Sequence, residues 1–390
     1  MKNFFSFADK NEFSFQVPEH EKDSHLVSTA ASGDKLNKVM LVVGANASGK
    51  TGLLKPLMFL YWFLLDSYSS EPSEEIFFEP HFFHEDEPSS IEIVFNNGED
   101  LYTYSIEFTR KMVLKEELRI RNIGERRVTT KRVFKREWND DQYEIFQRTG
   151  LGFPISRAAR TRKNTSFFSI AIQEEIYEAI SILSGLIPFT GNVGPFGNWD
   201  GNYLEKMEQV AEFYHENDDI FETAKKLLRE LDLGIDNISI KQIENQSGKK
   251  TTLAWVQHTH EEKTAEMQIL KESTGTQGLF CFFQHILPVL KMGGVVILDE
   301  IESDLHPYLS ERLIDMFLHE ETNPKNAQLI LATHDVTLFN LVGKRQLMMV
   351  EKDESLSSYC YRLDEVQGVR SSDNLMMKYL GGNYGAVPRV

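Results

Sequence analysis

Three short apolar runs stand out along the chain: Val39 to Val43, Val295 to Leu298 and Gln328 to Ala332. None alternates with polar residues. Each therefore predicts a strand covered on both faces, as in a parallel sheet. Elsewhere the period changes to two. Ile91–Phe95, the turn signal Asn97-Gly98, and Leu101–Phe108 predict a hairpin. Met112–Ile123, Arg127–Phe134 and Glu144–Phe146 extend it as further antiparallel strands. Phe4–Val17 alternates loosely and predicts an opening strand, followed by a polar loop over Ser24–Asn37 and another over Ser67–Ser90.

Helical periodicity covers Leu53 to about Asp66, then most of the stretch from Ile155 to Leu233. There Thr165–Leu186 carries an apolar stripe, and Leu204–Tyr214 and Ile220–Leu231 are amphipathic. Pro188–Gly201, rich in Gly, Pro and Asn, predicts a loop. Two strands follow at Ile235–Ile243 and Thr251–Gln257. The closing part alternates helix and strand: Gly278–Leu290, Gly294–Leu298, Pro307–Phe317, Gln328–Ala332, Thr337–Leu341 and Gln346–Val350. The expected fold is α/β, with an antiparallel β subdomain and a helical insertion. Its divisions fall at 1–150, 151–234 and 235–390.

With 390 residues, the chain exceeds one ordinary domain. Its net charge of −17 argues against indiscriminate nucleic-acid binding over the whole surface. Two cysteines, Cys281 and Cys360, form no disulfide framework and suit a reducing cytoplasm. The N-terminal residues lack a signal-peptide pattern, and Leu53–Leu65 is too short for a bilayer, so no membrane role is expected.

The chemistry concentrates where the apolar runs end. After Val43 comes Gly44-Ala-Asn-Ala-Ser-Gly-Lys-Thr51. This is the strand, phosphate loop and helix start of a P-loop NTPase. Gly44 and Gly49 permit a tight turn that aims backbone N–H groups, including those around Asn46 and Ser48, at phosphate oxygens. The helix N-terminus adds its dipole. Lys50 is expected on the β- and γ-phosphates of ATP, and Thr51 on Mg²⁺. The run Val295–Leu298 ends in Asp299-Glu300, a Walker B pattern. Asp299 is the second expected Mg²⁺ holder and Glu300 the base or orienter of the attacking water. Glu272-Ser-Thr-Gly-Thr-Gln277 precedes a helix, so Ser273 and Gly275 can build a second anion site, although an ordinary N-cap has the same pattern. His334 ends the strand after Walker B, where it can reach a γ-phosphate.

The order P-loop, long insertion, Ser-x-Gly-Thr-Gln, Asp-Glu, His resembles ABC-type ATPases, and among them the SMC-like heads. It is most similar to stand-alone ATPases of bacterial anti-phage systems: the AbiL/RloA type, Septu PtuA, PARIS AriA and OLD-like proteins. Leu298–Pro307 and the closing Tyr379–Pro388 carry that likeness alongside the motifs above. The resemblance implies a switch that senses infection and controls a separate toxic effector, a nuclease. It also implies a head-to-tail homodimer or higher oligomer in which Ser273 and Gly275 act on the partner's ATP. The signature departs from the transporter form, and His306 stands where transporters carry an Asp. A DNA-repair or chromosome-associated head, and a transporter subunit, remain alternatives.

Arg110–Arg136 holds eleven Lys/Arg and three Glu. It reads either as a surface for nucleic acid or an acidic partner, or as a solvated basic face. His81-Phe-Phe-His84-Glu-Asp86 lacks a second cluster to complete a metal site.

Overall fold

The computed structural model describes residues 1–19, 24–122, 129–147, 152–186, 188–194, 197–198, 203–231, 234–244, 248 and 250–388. A small hairpin, β1 (Val27–Thr29) and β2 (Lys35–Asn37), leads into β3 (Val39–Val43), whose five residues are all buried. Helix α1 (Lys50–Asp66) follows. An antiparallel meander is then built from β4 (Ser89–Asn97), β5 (Asp100–Phe108), β6 (Val113–Asn122), β7 (Thr129–Trp138) and β8 (Tyr143–Gln147). Short helices α2 (Ile155–Ala158), α3 (Phe167–Gln173) and α4 (Tyr177–Leu183) lead to β9 (Phe189–Gly191) and the two-residue strands β10 (Val193–Gly194) and β11 (Gly197–Asn198). Helices α5 (Tyr203–Glu216) and α6 (Asp218–Glu230) precede a second antiparallel sheet of β12 (Asn237–Glu244), β13 (Lys250–His260) and β14 (Lys263–Gln268). The long helix α7 (Thr274–Met292), β15 (Val295–Asp299), α8 (Pro307–Leu318), β16 (Gln328–Ala332), β17 (Leu347–Lys352), β18 (Ser358–Arg362) and α9 (Leu375–Leu380) complete the chain.

The central sheet runs β18-β17-β3-β16-β15-β9. Its strands are parallel except β18, which pairs antiparallel with β17. The architecture is the expected α/β head with an appended antiparallel sheet and inserted helices. Because β3, β16 and β15 are neighbours, the ends of three apolar runs far apart in sequence meet at one sheet edge. One face of the sheet packs on α7, α8, α5 and α6 through residues such as Leu41, Leu298, Leu331, Phe280 and Tyr214. The other face packs on the first turns of α1, with Met40, Val42, Ile297 and Ile330 against Leu53 and Leu54. The later turns of α1 leave this contact and join the meander, α3 and α4 through Phe59, Phe63, Phe108, Phe134 and Phe168. One helix thus carries the phosphate loop at its start and the antiparallel sheet at its end.

Several expectations change in three dimensions. Phe4–Val17 forms isolated bridges and no strand. Asn3 and Phe5 take left-handed φ values of 53° and 49°, which break extended geometry, and the phenylalanines serve as core plugs. The expected loop at Ser24–Asn37 contains the β1–β2 hairpin, turned by Gly33. The apolar stripe Thr165–Leu186 is cut into α3 and α4 at Glu175, where φ is 56°. Within Pro188–Gly201, Phe189–Gly191 pairs with Val295–Ile297 and supplies an edge of the central sheet. Thr337–Leu341 is a 3₁₀ segment, Val336–Leu341.

Candidate functional site

The phosphate loop leaves β3 at Val43 and closes at Gly49, whose φ of 111° falls in the region that favours glycine. A side chain at Gly44 would run into the carbonyl oxygen of Val350, and one at Gly49 into the hydroxyls of Ser358 and Ser6. The loop is therefore pressed from behind by β17, β18 and the N-terminal segment. Ser358 Oγ donates to Ser48 O at 2.7 Å and accepts from the Ser6 hydroxyl at 2.8 Å. These serines lie some 350 residues apart in the chain, and their shared role is not visible in sequence.

Lys50 opens α1 and is buried, its ammonium donating to Gly44 O at 3.3 Å and Ala45 O at 3.4 Å. It also donates to His334 Nε2 at 2.8 Å, which leaves the ring proton on Nδ1. Burial holds the Lys50 pKa below the usual lysine range, and Glu300, Asp299 and Glu302 oppose that shift. Thr51 Oγ1 donates to Asp299 Oδ2 at 2.7 Å. Asp299 is 2% exposed; burial pushes its carboxyl up to about 6, against the hydrogen bond from Thr51. Its other oxygen, Oδ1, is buried without a hydrogen-bond partner.

Glu300 takes a left-handed φ of 50°, an uncommon conformation for a non-glycine residue and one often concentrated at working sites. Its N–H donates to Ala332 O at 2.9 Å, and Oε1 lies 3.5 Å from His334 Nε2. Lys50, Thr51, Asp299, Glu300 and His334 therefore converge at one edge of the parallel sheet, each at a strand end or helix start.

Two residues join this group that the sequence did not single out. Asn192 follows β9 and clasps the main chain of Asp299, donating from Nδ2 to its carbonyl at 2.9 Å and accepting its N–H at 2.8 Å. The signal existed only in topology, because β9 is the edge neighbour of β15. Glu302 accepts the backbone N–H of His334 through Oε1, while Oε2 is buried without a hydrogen-bond partner.

Ser273 and Gly275 lie apart from this cluster. Ser273 caps α7, its Oγ accepting from Thr276 N at 3.2 Å. Around Gly275 and Gly278 the helix start packs against Asp304, just after the Walker B acids. Glu272 is held by His258, with Nε2 to Oε1 at 2.6 Å; that hydrogen bond raises the histidine pKa. Among the described residues, no hydrogen bond links Ser273 or Gly275 to the phosphate loop.

Five basic residues of the segment pair with nearby carboxylates. Arg136 is fully buried and donates to Glu116 at 2.7 Å and to Thr165 O. Arg119 and Arg132 share Glu117, whose pKa falls to about 2 because these two hydrogen-bonded guanidiniums outweigh burial, the largest single influence and an opposing one. Lys135 pairs with Glu137 and Arg110 with Glu79. Arg126 and Arg127 lie outside the described residues. His84 Nδ1 contacts Glu87 Oε1 at 2.6 Å, and among the described residues no group of three His, Cys, Asp or Glu could hold a metal ion. No described helix is long and apolar enough to cross a membrane.

Residues 39–340 match the family described as "AAA domain, putative AbiEii toxin, Type IV TA system". Among solved structures, the chain is similar to an SMC head bound to the C-terminal winged-helix domain of ScpA, at 12% identity over 94% of this chain and 98% of that one, with a TM-score of 0.44. It is also similar to the SMC head domain from Thermotoga maritima, at 14% identity over 93% and 96%, with a TM-score of 0.41. A Pyrococcus furiosus SMC head with an extended coiled coil, bound to the C-terminal domain of ScpA, gives 12% identity over 92% and 98%, with a TM-score of 0.36. No curated protein matches the chain.

Proposed function

The chain belongs to this AAA-type ATPase family, and from that premise we propose that it binds and hydrolyses ATP and uses the cycle as a switch. The observation that carries the reading is the convergence of Lys50, Thr51, Asp299, Glu300 and His334 at one sheet edge. Backbone N–H groups of 44–50 and the start of α1 receive the phosphates, and Lys50 moves its charge from His334 and the loop carbonyls onto the β- and γ-phosphates. Glu300, half-exposed beside His334, orients the attacking water and takes its proton. His334, released by Lys50, contacts the γ-phosphate.

The site fits Mg²⁺. Asp299 presents an unpartnered buried oxygen, and its raised pKa marks a carboxylate that a cation would relieve. Thr51 and Asp299 would hold the ion, Asp299 directly or through water. An ion held there would supply charge neutralisation for the phosphates and the leaving group. Asn192 keeps the Asp299 main chain in register for this task.

The signature at Ser273 and Gly275 completes the site from a second copy, arranged head to tail, so ATP drives dimerisation. The biological role is defence: the switch responds to infection and controls a separate toxic effector, a nuclease. The motif likeness to anti-phage ATPases and the toxin named in the family description support this role. Glu300→Gln tests the chemistry. It should keep ATP binding and lose ~10²–10⁴-fold in turnover, whereas Lys50→Ala should lose binding. Normal hydrolysis by the Gln variant would remove Glu300 from its role.

A further inference from the structure

The residue after the Walker B acids that turns back toward the site is Glu302, and its position follows from Glu300. The left-handed φ of 50° at Glu300 throws the chain out of β15 into a single 3₁₀ turn, Ile301–Ser303. Ile301 is buried beneath it, while Glu300 N–H remains tied to Ala332 O at 2.9 Å. Beyond Ala332, β16 has ended, and its main chain keeps one last bond to the neighbouring strand β3 before the strand pairing stops at His334. Thr333 N donates to Val42 O at 3.0 Å. His334 N donates to the Glu302 carboxylate. A carboxylate side chain thus closes the hydrogen bonding of β16 at the residue whose imidazole meets Lys50.

The geometry points to Glu302 as the positioning residue for His334. This rests on the ATPase reading and deepens it. His334 has two rotatable side-chain bonds between its backbone and its ring, so a ring at the γ-phosphate needs a fixed backbone. Glu302 supplies that fixation from the same turn that presents Glu300, so base and histidine are set by one short segment. A charge-assisted acceptor is stronger than a neutral one. The other Glu302 oxygen is buried without a hydrogen-bond partner, and the carboxylate stands near the Lys50 charge. Leaving one carboxylate oxygen buried and unpaired is costly.

The test uses the full chain. Glu302→Ala should bind a fluorescent ATP analogue within ~3-fold of wild type and lose ~10–100-fold in kcat, the cost of a misplaced catalytic group. Glu302→Gln keeps an acceptor oxygen and should recover most of that loss. Adding His334→Ala to Glu302→Ala should cost little more than the worse single change, because both act through one ring. The ¹⁵N resonances of the His334 imidazole in the ATP-bound protein should shift in the Ala variant and return toward wild type in the Gln variant. This signal does not depend on turnover, so an inactive wild type would sink the ATPase reading while leaving the inference testable. Additive kinetic losses, or an unmoved His334 ring in a folded Glu302→Ala protein, would overturn it.

Discussion

Asp299 shows how one residue carries both a cost and a use. Its carboxyl is raised to about 6 by burial, so between about pH 4 and pH 6 the folded chain holds a proton that the unfolded chain has lost. Stability contributed at this position is therefore greatest at low pH and falls as pH rises through that window. Asp299→Asn removes the buried charge and should stabilise the nucleotide-free protein at pH 7 by up to about 3 kcal/mol. The gain should shrink below pH 6 and vanish near pH 4. Thermal melting across pH checks this, and a variant less stable than wild type at pH 7 would contradict it. Added Mg²⁺-ATP should raise the melting temperature of wild type more than that of the variant.

At the scale of elements, the meander is fastened to α3 by a buried ion pair. Glu116 on β6 accepts from Arg136 on β7, from the Tyr104 hydroxyl on β5 at 2.7 Å and from Phe167 N at the start of α3 at 2.9 Å. Removing one partner of such a pair leaves a buried charge uncompensated. Arg136→Met should cost about 3–5 kcal/mol, read by urea unfolding. The double change with Glu116→Gln should cost less than the sum, and strict additivity would show that the pair does not act as a unit. This pairing also explains why the basic stretch was ambiguous in sequence. Counting Lys and Arg over 110–136 does not reveal that Arg136 points inward, or that Glu117 collects two guanidiniums on the other face.

The same limit governed the site. Lys50, Thr51, Asp299 and Glu300 were legible because each follows an apolar run, and local order along the chain places them. Asn192 was not, because its task depends on β9 lying beside β15, a pairing across more than 100 residues. Glu302 was in plain view as a third acid, yet its contact depends on the left-handed backbone at Glu300. The opening strand failed for a related reason: alternating phenylalanines record burial, and here they plug a core without joining a ladder.

For the whole molecule, α1 is the mechanical link. It begins at the phosphate loop and ends among the aromatic residues of the meander, so one rigid element joins the two. The signature sits on α7, which returns to the same sheet through β15 but makes no hydrogen bond to the phosphate loop among the described residues. On the proposed function, Ser273 and Gly275 serve the ATP of a second copy. Lys50→Ala and Ser273→Arg proteins should each hydrolyse little ATP alone, whereas their mixture should regain part of the wild-type rate, since each heterodimer holds one intact site. The decisive measurement is the ATPase rate against mixing ratio, with molar mass followed by light scattering with and without ATP. The account predicts a maximum near equal proportions and an ATP-dependent dimer; no recovery on mixing, with a wild-type monomer whose specific rate is independent of concentration, would contradict it.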